Sequence, residues 1–291
     1  MIDFTLTDEQ RALRELARAF AQHEIAPLAA EYDRESRHPA DVLEKAHDIG
    51  LMNMIVPEEY GGAGLGMMET CLVTEELSAA CSGIGIAVVA NTLALTPFLL
   101  AGSPEQKTAH VEPLCRGPHL AALCMTEPQA GSDLGAIRAT ARREGDHYIL
   151  NGTKTLIDNG GVARLYCLFA LTDPSQGLRG MSAFAVPADL PGVSVGKHED
   201  KMGQRAINTS EVIFEEVQVP AGTRLGAEGQ GFGIFLETLN RNKPWIAASA
   251  VGVARAALEA SSRYAREREQ FGHPIASFQA IQFKLADMAI K

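Results

Sequence analysis

Tyr148-Ile-Leu-Asn-Gly-Thr-Lys-Thr-Leu-Ile-Asp-Asn-Gly-Gly161 decides how the middle of this chain is read. Tyr148-Ile149-Leu150 is strand-like, and Asn151-Gly152 after it is a two-residue hairpin signal, because both types tolerate positive φ. Asn159-Gly160-Gly161 marks a second turn, one that could set Ile157 and Asp158 against a flat ring; a plain meander is the bland alternative. Outward from this stretch lie further short apolar or alternating runs: Leu165-Tyr-Cys-Leu-Phe169, Met181 to Val186, and Val212-Ile-Phe214. Asp173-Pro174 and Pro191-Gly192 punctuate them. Such connections are too short to hold crossover helices, so an antiparallel barrel or sandwich is expected rather than a parallel sheet.

Both flanks read as helix. Thr7 and Gln10 form a capping box, after which Leu13, Leu16, Ala17 and Phe20 share a face. Pro39 and Gly50 bracket a short helix, and Gly61, Gly62, Gly64 and Gly66 make a flexible turn. A further helix carries Leu72, Val73, Glu76 and Leu77, and Ser103, Pro104 and Gln106 supply another cap. Helix returns after Gly231, is alanine-rich from Ala247 to Tyr264, and breaks at Gly272 and Pro274. Phe278, Ile281, Leu285 and Met288 then form an apolar stripe that needs a partner surface. The expected fold is α+β and multi-domain: an N-terminal α-helical domain over 1–120, a middle antiparallel β-barrel domain over 121–228, and a truncated C-terminal α-helical bundle over 229–291.

The 291 residues carry a net charge of -10, which excludes nucleic acid as a natural partner. Five cysteines at irregular spacing, none in a CxxC pair, read as reduced thiols of a cytoplasmic protein and give no metal site. Met1 leads straight into a charged amphipathic pattern, so no signal peptide is expected. Gly83 to Gly102 is uncharged and long enough for a membrane span, yet its Gly, Asn, Thr and Pro favour a buried core helix. GxGxxG, GxSxG, HExxH and P-loop motifs are all missing.

Two further strings could carry chemistry. Leu123-Cys-Met-Thr-Glu-Pro-Gln-Ala-Gly-Ser-Asp133 offers the Thr126 and Ser132 hydroxyls and a close backbone approach at Gly131, either as a cofactor cradle or as a surface loop. Arg263-Tyr-Ala-Arg-Glu-Arg-Glu-Gln-Phe-Gly272 is either a solvated helix end or a fork and ring, Arg268 and Phe271, presented to a phosphate or flavin.

Taken together the strings resemble the acyl-CoA dehydrogenase family, over Leu6 to Lys291. The matching pieces include Val56-Pro-Glu-Glu-Tyr-Gly-Gly62, Met125-Thr-Glu-Pro128 with Ala130-Gly-Ser-Asp133, Asn151-Gly-Thr-Lys154, Lys201-Met-Gly-Gln-Arg205, Gly229-Gln-Gly-Phe232 and Arg268-Glu-Gln-Phe-Gly272. The resemblance is closest to medium-chain and short-chain members. It implies FAD between the middle and last domains, an acyl-CoA substrate, electron-transfer flavoprotein as electron acceptor, and a homodimer or homotetramer. It places Leu123, Thr126, Gly131, Ser132, Leu156, Asp158, Arg268, Gln270, Phe271 and Gln279 at the cofactor, with Ser132, Asn240 and Lys243 at the substrate.

The departures matter too. Where the family has Trp-Ile-Thr or Trp-Ile-Ser, this chain has Leu156-Ile157-Asp158. An aromatic cover becomes aliphatic, and a hydroxyl donor becomes a carboxylate, which accepts only when ionised. Lys243 replaces an arginine, keeping the charge and losing the fork. Family members run well beyond this length, and the glutamate that removes the α-proton lies in that part. Some branches place it on the long helix instead, where this chain has Asn242. Glu237 is more than a turn away, so no catalytic residue is assigned. A desaturase, a non-catalytic flavin- or CoA-ester-binding subunit needing a complete partner, and a related enoyl-CoA reductase or nitroalkane oxidase all stay open.

Overall fold

The computed structural model describes residues 5–291; residues 1–4, where the reading of an N-terminus without a leader begins, lie outside the described residues. Helix α1 (Asp8–Phe20) starts under the expected box: the Gln10 N–H donates to Thr7 Oγ1 at 3.2 Å and the Thr7 N–H to Gln10 Oε1 at 3.1 Å. Ala17 and Phe20 are buried, while Leu16 turns outward. There follow α2 (Ala29–Glu35), α3 (Ala40–Asp48), α4 (Met67–Ala80), α5 (Ser82–Val89), α6 (Asn91–Ala101), α7 (Pro104–Gln106) and α8 (Glu112–Cys115). The Ser103–Gln106 box is present at the start of α7. The segment Ser82–Ala101 is apolar and long enough to cross a membrane, but 72% of it is buried inside the protein as a core element.

After the sheet comes α9 (Gly231–Glu267), a 37-residue helix that lies along α4. Gly252 makes this approach possible, since a Cβ there would stand 2.2 Å from the Glu75 carbonyl oxygen. Ser78 Oγ donates to Ser249 Oγ at 2.9 Å across the same contact. Beside it, the buried Glu76 carboxylate takes Arg18 at 2.9 Å and Arg255 at 2.7 Å, tying α1, α4 and α9 together. The last helix, α10 (Gln279–Ile290), packs on α9, and its Phe278, Ile281, Leu285 and Met288 stripe is half-buried.

The middle region is one eight-stranded sheet: β1 (Ala121–Cys124), β2 (Thr140–Glu144), β3 (His147–Asp158), β4 (Leu165–Leu171), β5 (Met181–Pro187), β6 (Val193–His198), β7 (Thr209–Pro220) and β8 (Arg224–Leu225). Its order is β6-β7-β3-β2-β4-β5-β8, with β1 beside β4. This corrects the expected antiparallel barrel in two ways. The end strands β6 and β8 do not pair with each other, so the sheet stays open. The sheet is also mixed, because β1 and β2 run parallel to β4. The reasons are physical. β8 offers two residues of ladder, too few to close a ring. The β2–β3 hairpin intervenes between β1 and β4, so β4 returns in the direction of β1. The sheet halves meet through side chains instead: Tyr148 against Phe184 (centroids 5.0 Å) and Tyr166 against Phe214 (5.9 Å).

The hairpin assigned to Asn151-Gly152 is corrected as well. The turn is Gly145-Asp146, between β2 and β3, and Asn151-Gly152 sits inside β3 at a bulge opposite β7. Gly152 has φ 152°, and a Cβ there would fall 2.6 Å from that of Ala139. The Asn151 amide spans the bulge, receiving the Glu216 N–H at 2.9 Å and donating to Glu216 Oε1 at 2.6 Å. Asn-Gly suits a bulge for the same reason it suits a turn, relaxed φ.

Strand β4 is buried on both faces. Tyr166 and Leu168 face the sheet's interior, and Cys167 and Phe169 face the helices. Phe169 meets Phe235 of α9 at 5.4 Å. Helix α9 is thereby seated on the sheet, and the space between them is where the site forms. Small strands β9 (Glu269–Gln270) and β10 (His273–Pro274) follow α9 and pair as a hairpin turning at Phe271-Gly272.

Candidate functional site

A cavity of about 220 Å³ lies where α5, α6 and α9 meet the end of β1 and the end of β3. Ile86, Ala90, Leu93 and Ala94 come from the α5–α6 segment, and Phe235, Leu239 and Trp245 from α9. The sheet side is built by two local devices. Beyond β1 the chain passes through Met125 and Thr126 into a loop locked from below. Lys154, fully buried, donates to the Met125 carbonyl at 2.9 Å and to Glu127 Oε1 at 2.8 Å. Glu127 also accepts the Arg138 and Ala139 N–H groups, and the Thr155 N–H donates to the Thr126 carbonyl at 2.9 Å. Burial opposes ionisation of Glu127, yet Lys154 and the two N–H donors outweigh it and hold the carboxyl below its ordinary value.

The second device is a bulge in β3 between Lys154 and Ile157, with Leu156 at φ 56°. Alternate residues of a regular strand point to opposite faces. The bulge breaks that alternation, and Leu156, Ile157 and Asp158 all line the cavity. Leu156 remains 58% exposed at its mouth.

Among the described residues Asp158 is the one ionisable side chain on the cavity wall. The Thr209 hydroxyl donates to its Oδ1 at 2.7 Å, and Lys201 Nζ donates to Thr209 Oγ1, also at 2.7 Å. Solvent reaches Asp158 from the mouth, but the protein packed around it raises its pKa; the Thr209 hydrogen bond and the Lys201 charge pull the other way without cancelling this.

On the opposite wall, Trp245 Nε1 donates to Asn242 Oδ1 at 2.6 Å. The Asn242 amide donates in turn to Thr96 Oγ1 at 3.0 Å and to the Thr238 carbonyl at 2.8 Å. Asn242 is therefore a buried, saturated strut that fixes the indole. Glu237 is exposed and paired with Arg241 at 2.8 Å, away from the cavity.

Of the residues named from sequence, the structure brings together Leu123, Thr126, Leu156 and Asp158 around this one cavity. Gly131 and Ser132 lie on an exposed turn outside it. Arg268, Gln270, Phe271 and Gln279 are exposed at the far end of α9 and the start of α10. Asn240 and Lys243 are exposed on α9, with Lys243 Nζ donating to Asn240 Oδ1 at 3.0 Å. Asn240 borders a neighbouring groove of about 430 Å³ with Leu99 and Leu100 of α6. Sequence reading missed Trp245, the chain's single tryptophan, and Thr209 and Lys201, which lie behind Asp158: Thr209 is its partner in the β3–β7 pairing, and Lys201 reaches Thr209 from the loop before β7.

Apart from Thr126 and Asp158 the lining side chains are apolar. The volume is below the roughly 300–1,000 Å³ of whole-ligand pockets, so the cavity suits one ring system with a polar edge. A flavin ring fits that donor set. Leu123, Thr126, Leu156 and Asp158 would hold it, with Trp245 and Phe235 supplying the aromatic surface that position 156 does not.

Comparison with known proteins gives the same direction. Three profiles match in succession: the N-terminal domain of acyl-CoA dehydrogenase over residues 7–118, its middle domain over 122–217, and its C-terminal domain over 229–291. An acyl-CoA dehydrogenase of Bacillus subtilis is 44% identical over 98% of this chain and 76% of its own length. An acryloyl-CoA reductase (NADH) of Anaerotignum propionicum is 43% identical over 100% of this chain and 74% of its own. The structure of butyryl-CoA dehydrogenase from Megasphaera elsdenii superposes with a TM-score of 0.94 at 37% identity, covering 99% of this chain and 77% of that one. These relatives are longer than this chain, and the FAD-binding fold is common to them and to it. The chain belongs to the acyl-CoA dehydrogenase family, flavoprotein oxidoreductases acting on the CH–CH group of acyl-CoA thioesters.

Proposed function

We propose that this protein is an FAD-dependent oxidoreductase that introduces an α,β double bond into an acyl-CoA thioester. The observation that carries the reading is the convergence of Leu123, Thr126, Leu156 and Asp158 with the apolar faces of α6 and α9 on a single cavity. Bound FAD supplies two-electron transfer. The chain's own part is to seat the ring against Leu156, to offer hydrogen bonds from Thr126 and Asp158, and to keep water from the apolar wall. The groove beside Asn240 and Lys243 is our assignment for the CoA ester, and Gly131–Ser132 and the Arg268–Phe271 hairpin with Gln279 for the outer parts of FAD. In this reading the chain divides near residues 120 and 228. It passes electrons to electron-transfer flavoprotein, works as a homodimer or homotetramer, and resides in the cytoplasm, where its five free thiols stay reduced.

No glutamate lines the cavity among the described residues, and Asn242 cannot accept a proton as a carboxylate does. One second reading, reduction of an enoyl-CoA, is favoured by the reaction named for the Anaerotignum propionicum relative; it needs a proton delivered to the α-carbon, from solvent or a group off the cavity wall, just as desaturation needs one removed. Anaerobic mixing of the purified yellow protein with a panel of acyl-CoA esters tests the first reading. Bleaching of the flavin supports it. Bleaching by none of them, with reoxidation of the dithionite-reduced protein by an enoyl-CoA, transfers the assignment to the reductase.

A further inference from the structure

The cavity has a polar side and a floor. Thr126 and Asp158 lie on the sheet side, whereas every lining residue contributed by the α5–α6 segment and α9 is apolar. Of those, Ala94 and Phe235 belong to the apolar cluster that joins the helices to the sheet. Ala90 and Trp245 belong to the other cluster, the core of the helical layer, with Leu77 of α4 and Ile84 and Val88 of α5. Trp245 therefore stands where the open space stops and the helical core begins. A group running deeper between α4, α5 and α9 would have to displace the bulkiest type of side chain a protein has.

The indole is not free to give way. Trp245 is 3% exposed, Asn242 0% and Thr96 4%. Trp245 Nε1 donates to Asn242 Oδ1, and the Asn242 amide donates to Thr96 Oγ1 on α6 and to the Thr238 carbonyl on α9. The line continues at both ends, with Thr96 Oγ1 donating to the Thr92 carbonyl at 2.6 Å and Thr238 Oγ1 to the Ile234 carbonyl at 2.7 Å. Each polar side-chain atom in this strut has a partner, so swinging the indole aside leaves buried groups unpaired. The strut also borders both spaces of the site: Thr96 lines the groove with Asn240, and Trp245 lines the cavity.

We propose that Trp245 sets the upper length of the acyl group, that Asn242 is the positioning residue which keeps this limit rigid, and that the substrates are short-chain acyl-CoA esters of butyryl size. This rests on the reading above that an acyl-CoA meets a flavin in this cavity, and it holds for desaturation and reduction alike. A ring seated on the sheet wall leaves the helix side for the acyl carbons. At about 220 Å³ the whole cavity is small for one ring system, so a few carbons fill what remains. The next methylene meets the indole, and a closely packed wall does not stretch to take it. One methylene too many in such a pocket is discriminated about tenfold or more. Position 242 thus has a task of its own in this chain: its amide, acceptor on one side and donor on the other, holds the indole to α6 in a way a carboxylate could not.

The test titrates the yellow full chain with butyryl-, octanoyl- and dodecanoyl-CoA and reads the change in flavin absorbance, which reports binding whether or not turnover follows. In the wild type the dissociation constant for octanoyl-CoA is expected to exceed that for butyryl-CoA by about tenfold or more. Trp245→Leu opens the floor and brings octanoyl-CoA to the butyryl-CoA value or below it. Trp245→Phe keeps a ring without the hydrogen bond, gives an intermediate ratio, and serves where the leucine variant does not fold. Asn242→Leu retains the indole but unpins it: the fluorescence anisotropy of the single tryptophan falls, and the octanoyl-to-butyryl ratio falls with it. If Asn242→Leu weakens all three esters alike, Asn242 is no positioning residue. Equal wild-type affinity for butyryl- and octanoyl-CoA, or a ratio unmoved in both Trp245 variants, overturns the length limit while leaving the acyl-CoA reading intact. A wild type whose flavin responds to none of the esters defeats both.

Discussion

Lys154 and Glu127 form an ion pair with almost no solvent contact, at 2.8 Å, and their role is to hold the loop that carries Thr126. Removing one partner of such a pair strands a charge, at a cost of about 3–5 kcal/mol. Glu127→Gln is therefore expected to lower unfolding stability by that amount in urea titration, and to lose bound flavin in the same range. The sign of the pH effect follows from the depressed carboxyl. Its contribution is complete above the ordinary glutamate value of about 4.3. It is lost as pH falls through the lower folded value. Acid unfolding of the wild type should show this loss and Glu127→Gln should not. Thr126→Ala removes one neutral hydroxyl from the cavity wall, worth about 1 kcal/mol, and should raise the FAD dissociation constant roughly fivefold. An unchanged value would remove Thr126 from the binding set.

Among the elements, the α4–α9 contact and strand β3 do the most. Gly252 lets α9 lie against the backbone of α4, and a methyl group there meets the Glu75 carbonyl oxygen at 2.2 Å and the Ala79 nitrogen at 3.1 Å. Neither is the end of a flexible side chain, so the helices must separate. Gly252→Ala should cost about 1–3 kcal/mol in chemical denaturation despite alanine's better helix propensity. A stabilised variant would show that the contact is looser than the structure has it. Strand β3 carries two bulges with different work: the one at Asn151-Gly152 bends it past Ala139, and the one before Ile157 turns three consecutive residues toward the cavity. Neither was legible locally. Asn-Gly read as a turn because relaxed φ serves both geometries, while the true hairpin at Gly145-Asp146 carried a fainter signal of the same kind.

At the scale of the whole molecule, the helical layer has a covered side and an uncovered one. On α9 and beyond it Ile246, Val251, Val253 and Tyr264 are exposed, with Phe271 at 88%, Phe283 at 63% and Ile290 at 83%. Apolar surface of this kind drives association. Sedimentation at micromolar concentration is expected to show a dimer or larger species, and Phe283→Glu to shift it toward monomer. A monodisperse wild-type monomer would contradict the assignment of a homo-oligomer.

What sequence alone determined was set by residues and their near neighbours, though not all of that: the Asn151-Gly152 signal was a bulge and not a turn. The capping boxes at Thr7 and Ser103 were legible because cap and partner lie three residues apart. So were the helical flanks, and the presence of a strand-rich middle. Tertiary structure decided the rest, because strand pairing is a contact between distant residues that no local pattern encodes. It left β6 and β8 apart, so the sheet is open and mixed where a closed antiparallel barrel was expected. It also paired β3 with β7, which puts Thr209 and Lys201 behind Asp158 and gives a substituted side chain its hydrogen bonds and its charge environment.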